Sequence, residues 1–240
     1  MYTHNFIWCD LSTFDLNTAK TFYNQIFDWE YDNGDYDYYT AYTNQKEVSG
    51  LYLMPEKYVQ MEMPSFWMSY IQVQNVEDTV KKAQELGGKI ELKEDDPHFG
   101  KIALIRDPSG AGFTIYESDQ QSTEAISENG SMYWNELYIS NAELVLDFYK
   151  DLFGWDIREE PSNNRYNVFD EAGNQITAIQ QVSNADKGDH EYWGIYFAVD
   201  NLQKAKKLIK EHGGDIHYED TYGIVASDPM GAVFHCTEAR

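Results

Sequence analysis

The spacing of apolar side chains predicts four helices with strands between them. Ala19, Phe22, Tyr23, Ile26 and Phe27 recur at i, i+3, i+4, i+7 and i+8, the stripe of a helix that buries one face. Val76, Val80, Ala83 and Leu86 form a second such face. Val145, Phe148, Tyr149 and Leu152 form a third, and Leu202, Ala205, Leu208 and Ile209 a fourth. The intervening runs at residues 5–11, 38–42, 48–53, 67–73, 90–92, 101–105 and 113–116 carry the β-branched and aromatic content of strands. Asp15 or Thr13 can cap the first helix, and Ser140-x-x-Glu143 reads as a capping box for the third. Gly87-Gly88 and Gly213-Gly214 stop the second and fourth, because glycine suits the left-handed position after a helix. Asp107-Pro108-Ser109-Gly110 reads as a turn between the last two strands of the first half.

The pattern is written twice. Phe22-Tyr23-Asn24-Gln25-Ile26-Phe27-Asp28-Trp29 is answered by Phe148-Tyr149-Lys150-Asp151-Leu152-Phe153-Gly154-Trp155, at an offset of 126 residues. The same offset relates Trp8 to Trp134, Trp67 to Trp193 and Tyr70 to Tyr196. It falls to 121 where Asp107-Pro108-Ser109-Gly110-Ala111 is answered by Asp228-Pro229-Met230-Gly231-Ala232, a loss of five residues expected in a loop. Solenoid repeats are about 20–50 residues long, so a repeat of this length is a duplicated domain. Domains are expected at 1–118 and 132–240, joined by a polar linker at 119–131. The aromatic F-Y-x-x-x-F-x-W stretch reads mainly as the buried face of a helix.

Composition narrows the partners. The formal net charge of −23 argues against nucleic acid and anionic membrane, both of which need a basic face. No apolar run approaches the ~20 residues needed to cross a bilayer. The start Met1-Tyr2-Thr3-His4-Asn5 lacks the basic and apolar regions of a signal peptide, so a cytoplasmic protein is expected, monomeric or a homodimer. Two cysteines make neither a disulfide framework nor a metal-ligand spacing. No nucleophile elbow, phosphate-binding loop or H-E-x-x-H motif occurs.

Paired β-α-β-β-β modules with this aromatic helix, Gly-Gly stop and D-P-x-G-A turn resemble the vicinal oxygen chelate superfamily, the glyoxalase, bleomycin-resistance and extradiol-dioxygenase group. The resemblance covers both halves. It implies an α+β fold of two tandem glyoxalase-like domains, each of two βαβββ modules forming an open curled sheet with helices outside and a cleft inside.

Strand alternation then sorts the residues by face. Ile7, Cys9 and Leu11 share one face and Trp8 and Asp10 the other; Ile71 and Val73 oppose Met68, Tyr70 and Gln72; Phe113 and Ile115 oppose Thr114 and Tyr116. The second half places Trp134, Glu136 and Tyr138, then Gly194, Tyr196 and Ala198, then His235 and Thr237 on the corresponding face. Aromatic and uncharged polar residues suit a ligand cleft, and an inner core with no ligand is the alternative. The expected ligand-binding set is therefore Trp8, Met68, Tyr70, Gln72, Thr114, Tyr116, Trp134, Tyr138, Tyr196 and Thr237. Asp10 and Glu136 occupy equivalent positions and, with His235, are the acid–base candidates.

The resemblance also implies where metal ligands belong. Those positions hold Trp8, Met68 and Thr114 in the first half and Trp134, Gly194 and His235 in the second, so no metal and no cofactor is expected. Asp28, Glu30, Asp32, Asp35 and Asp37 alternate with Trp29, Tyr31, Tyr36 and Tyr38, a run that suits an organic cation or a solvated hairpin. The functional expectation is binding of a small organic molecule, cationic or aromatic. The alternatives are a lyase or isomerase acting through Asp10, Glu136 and His235 or through an unorthodox metal site, sequestration of a cationic drug, and a pure interaction protein whose clefts are filled.

Overall fold

One strand, one helix and three strands follow each other four times in this computed structural model, which describes residues 4–32, 37–96, 100–118 and 128–238. The first module runs β1 (Phe6–Thr13), α1 (Leu16–Phe27), β2 (Glu30–Tyr31), β3 (Tyr38–Thr43) and β4 (Lys46–Leu53). A short α2 (Glu56–Val59) leads to β5 (Phe66–Val73), α3 (Val76–Glu85), β6 (Lys89–Asp96), β7 (Gly100–Arg106) and β8 (Gly112–Glu117). The third module is β9 (Met132–Ile139), α4 (Leu146–Phe153), β10 (Asp156–Glu160), β11 (Arg165–Phe169) and β12 (Gln175–Gln181). After a short α5 (Asn184–Lys187) come β13 (Tyr192–Val199), α6 (Leu202–Glu211), β14 (Asp215–Glu219), β15 (Gly223–Ser227) and β16 (Val233–Glu238).

The described strands form two mixed sheets of eight, ordered β2-β3-β4-β1-β5-β8-β7-β6 and β10-β11-β12-β9-β13-β16-β15-β14. Neither order closes on itself, so the open-sheet α+β class expected from the sequence is the one adopted. Strands β1 and β4 run parallel, as do β5 and β8, because a helix-containing crossover lies between them; the hairpin-linked pairs are antiparallel.

Local chemistry sets most element ends. The Asp15 carboxylate accepts the N–H groups of Asn17 and Thr18 and caps α1, whose five predicted stripe residues are all buried. The third helix begins differently from expectation. Glu191 takes both the N–H and the hydroxyl of Ser140, so the capping box with Glu143 does not form. Asn141 caps instead, opening a 3₁₀ turn over Ala142–Leu144 before α4. The five lost residues also differ from expectation. They come out of both strands of a hairpin rather than a loop: β6 and β7 have 8 and 7 residues, β14 and β15 have 5 each.

Packing groups the modules across the repeat. One compact unit holds the second and third modules, the other the first and fourth, with changeovers near residues 7, 68, 134 and 193. The first–fourth unit buries the α1 stripe with Cys9, Leu11, Phe197, Ile209, Phe234 and Cys236. The second–third unit buries the α4 stripe with Ile71, Phe113, Ile115, Leu137, Ile139 and Trp155.

The repeated motif residues are wired identically inside each unit. The Tyr23 hydroxyl donates to Asp228 Oδ2 at 3.1 Å and accepts Trp67 Nε1 at 3.0 Å. The Tyr149 hydroxyl donates to Asp107 Oδ2 at 2.8 Å and accepts Trp193 Nε1 at 3.0 Å. Trp29 Nε1 donates to the Gly130 carbonyl ahead of β9, and Trp155 Nε1 to that of His4 ahead of β1, so each motif tryptophan pins a segment that leads into the opening strand of a module. Of the expected linker, 119–127 lies outside the described residues. Residues 128–131 are docked: Gly130 N–H bonds to Ala198 O and Asn129 Nδ2 to Phe27 O. Among the described residues no helix is long and apolar enough to cross a membrane.

Candidate functional site

Side-chain alternation along each strand decides what the face away from the helices carries. Cys9, Leu11, Ile71, Val73, Phe113, Ile115, Leu137, Ile139, Ile195, Phe197, Phe234 and Cys236 all enter the cores beneath the helices. Trp8, Asp10, Tyr70, Gln72, Thr114, Tyr116, Glu136, Tyr138, Tyr196, His235 and Thr237 are therefore on the opposite face. Of the predicted set Gln72, Thr114, Asp10, Glu136 and His235 are buried, and Trp8, Met68, Tyr70, Tyr116, Trp134, Tyr138, Tyr196 and Thr237 half-buried.

In the first–fourth unit the site centres on Asp10, which is 3% exposed. Its Oδ1 accepts Trp8 Nε1 at 2.6 Å and the Tyr38 hydroxyl at 2.8 Å. Trp8 Nε1 also lies 3.0 Å from the Tyr38 oxygen, closing a triangle. Tyr38 reaches Asp10 by lying across β4 at Gly50, which pairs with Asp10 in the parallel register. A Cβ at Gly50 would collide with both the Tyr38 hydroxyl and Asp10 Oδ1, so only glycine admits this arrangement. Burial, and then the neighbouring Asp10 charge, pushes the Tyr38 phenol well above its ordinary pKa. One step along β1 on the same face, Ser12 is fully buried and its hydroxyl has no hydrogen-bond partner among the described residues. Tyr196 and His235 are register partners on β13 and β16, with ring centroids 4.3 Å apart. Burial pushes the His235 imidazole down to about 3, so it is neutral at pH 7 and a weak proton acceptor. Thr237 donates to the Tyr222 carbonyl.

In the second–third unit Glu136 takes the equivalent place. Arg165 grips it with two bonds, Nη1 to Oε1 at 2.5 Å and Nη2 to Oε2 at 2.9 Å. Arg165 also donates to Gln180 and Asn167. Tyr138 stacks on Tyr192 at 5.3 Å between centroids, and burial followed by the Glu136 charge pushes Tyr192 up to about 12. On the strands that carry Tyr70, Gln72, Thr114 and Tyr116, register pairs Tyr70 with Thr114 and Gln72 with Tyr116.

Two residues central to these sites, Tyr38 and Arg165, were absent from the predicted set, and they are counterparts. Thr40 and Gly50 stand beside Asp10 in register, Asn167 and Ala178 beside Glu136. Tyr38 precedes Thr40 by two residues and Arg165 precedes Asn167 by two. The acidic, aromatic run is split between faces. Trp29 is fully buried in the core and Tyr31 packs against that core, whereas Tyr38 turns to Asp10; Asp35 and Tyr36 lie outside the described residues. A groove of about 260 Å³ in the first–fourth unit is lined by Asn17, Thr18, Thr21, Phe22 and His212. Another of about 490 Å³ in the second–third unit is lined by Ser140, Asn163, Asn164, Gln180, Gln181, Val182, Ser183 and Asp186. Neither touches a residue of the predicted set.

The sequence matches the family described as the Glyoxalase/Bleomycin resistance protein/Dioxygenase superfamily over residues 5–115 and 132–234. The chain belongs to this superfamily. It is 29% identical to "Putative glyoxylase CFP32" of Mycobacterium bovis over 242 residues, covering 95% of this chain and 92% of that one. It is 25% identical to "Anthracycline biosynthesis protein DnrV" of Streptomyces peucetius over 254 residues, covering 97% and 92%. Among solved structures, the Mn(II)-bound glyoxalase from Novosphingobium aromaticivorans superposes with a TM-score of 0.65 at 14% identity, covering 99% of this chain and 83% of that one, a likeness of fold.

The residues present do not fit the superfamily's metal. An indole has no free lone pair for a cation, and Trp8 Nε1 is committed as a donor to Asp10. Glu136, two residues after Trp134 on β9, is held by a guanidinium. Among the described residues no group of three or more His, Cys, Asp or Glu is placed to hold a metal ion.

Proposed function

We propose that this superfamily member binds a small organic molecule on the sheet faces opposite its helices, with Asp10 as the anchor in one unit and the Glu136–Arg165 pair in the other, and without the family metal. The observation that carries this reading is a buried carboxylate at the same position of both halves, each bonded to a side chain from the third strand of its module and each beside half-buried aromatic rings. A few placed polar groups among aromatic ones is the composition of a ligand site. The relative named for anthracycline biosynthesis supports a role in handling small organic molecules.

The relative named as a glyoxylase supports a second reading, a lyase or isomerase of the superfamily. In that reading Asp10 is the better proton acceptor. Glu136 has its charge matched by Arg165, and His235 is held neutral and weakly basic by burial. Sequestration of a cationic drug draws less support, because Trp29 is in the core and offers no face to a cation.

Thermal melts against a library of aromatic and hydroxylated small molecules test the reading. A ligand at 100 times its dissociation constant stabilises the folded state by about 2.7 kcal/mol. The expected outcome is at least one ligand whose stabilisation is lost in Asp10→Asn or Glu136→Gln. A library that stabilises the wild type and both variants equally, or not at all, rejects it.

A further inference from the structure

The groove at the ends of β9 and β12 has about 490 Å³ of space, within the range of about 300–1,000 Å³ usual for ligand pockets. Its walls are amides and hydroxyls, with Val182 the one aliphatic side chain and Asp186 the one charged group among the residues that line it. The fold does not dictate that composition. At the equivalent corner of the first half, Phe14 stands for Ser140, Leu53 for Gln181, Pro55 for Ser183 and Tyr58 for Asp186, and Phe14 and Leu53 are exposed. The same backbone carries apolar groups in one half and hydrogen-bonding groups in the other.

Two of the amides are fixed from behind. Gln180 accepts Arg165 Nη1 at 3.3 Å and donates to the Asn163 carbonyl at 2.8 Å. Gln181 Oε1 accepts the Ala142 N–H at 3.0 Å, which leaves its NH2 to donate. Asp186 Oδ2 accepts the Ser183 hydroxyl at 2.6 Å, and Oδ1 remains an acceptor. Asn164, in left-handed backbone, adds an amide with both a donor and an acceptor end. There is no spare positive charge to hold an anion: Arg165 is engaged by Glu136, and Lys187 by Glu191 and the carbonyls of Gly188 and His190.

We propose that this groove is a further binding site, for the adjacent hydroxyl groups of a neutral sugar or polyol. A hydroxyl both donates and accepts, and an amide offers one edge of each kind to a neighbouring pair of them. Asn164 and Gln181 supply those edges, Asp186 Oδ1 takes a further hydroxyl, and Gln180 holds the wall in place. A peptide also carries amides, yet the groove has only Val182 to meet apolar side chains. The site is separate from Asp10 and Glu136 and does not require a ligand at either.

NMR of the side-chain amides tests this, with the methyl glycosides of glucose, galactose and mannose as probes and acetyl-triglycine amide as the comparison. At least one glycoside should shift the Asn164 and Gln181 NH2 signals saturably. Gln181→Leu and Asn164→Gly should each weaken that binding about tenfold, the worth of one hydrogen bond. Leucine already stands at the first-half counterpart of Gln181, and glycine keeps the left-handed backbone of residue 164, so each variant serves if the other fails to fold. No saturable shift with any glycoside, affinity unchanged in the variants, or a saturable shift with the peptide alone overturns the proposal.

Discussion

Tyr38 and Arg165 occupy the same place in the two halves yet give their carboxylates different company. Asp10 meets an indole N–H and a phenol; Glu136 meets a guanidinium through two parallel bonds. The Glu136 and Arg165 side chains are 5% and 24% exposed, so each would be left as a poorly hydrated charge if its partner were removed. Arg165→Met and Glu136→Gln should each cost about 3 kcal/mol by denaturant unfolding. The double variant should cost much less than the sum, because neither charge is then stranded. Strict additivity would show that the pair is solvated and does not define the face. The carboxylates were legible in the sequence because the offset of 126 carries Asp10 onto Glu136. Their partners were not, because the hairpins of the third module contain extra residues: Arg165 stands 127 after Tyr38, and Ala178 stands 128 after Gly50. Only the register of β11 on β12 restores the equivalence.

At the scale of elements, periodicity read the helices well because one side of each is buried against a sheet. Phe148 is 3% exposed, and its ring leaves no slack over Gly88, where a Cβ would meet it at 3.0 Å. Phe148→Ala should cost about 3–5 kcal/mol, measured by chemical denaturation; a loss under 1 kcal/mol would mean the ring can be replaced by neighbours. The start of α4 was misread because Ser140-x-x-Glu143 satisfies a local rule that Glu191, distant in sequence, overrides.

The D-P-x-G turns hold more than their own backbone. Asp228 accepts the N–H groups of Met230 and Ala232 and the Tyr23 hydroxyl, yet burial outweighs them and pushes its carboxyl up to about 6. An unfolded Asp titrates near 3.9, so the folded chain binds the extra proton between about pH 4 and 6. The stability from this group is full below about pH 4 and is lost as pH rises to about 6. Asp228→Asn should remove that slope, changing the stability difference from wild type by on the order of 2–3 kcal/mol between pH 4 and pH 7. A difference that stays constant across this range would show the carboxyl to be unperturbed.

For the whole molecule, the duplication is legible in the sequence, but the exchange of modules is not. A stripe shows that a helix is covered, never which strand covers it. The hydrogen bond between Tyr23 and Asp228 joins residues 205 positions apart, inside the unit built from the first and last modules. A nascent chain leaving the ribosome therefore carries α1 with its aromatic face uncovered until the fourth module is made. Contacts between such remote residues must also overcome a large loop-closure entropy, which slows folding and lengthens that exposure. The second and third modules are neighbours in sequence and complete their shared core first. Synthesis thus imposes an order on these four modules: the second and third mature together while the first waits for the fourth.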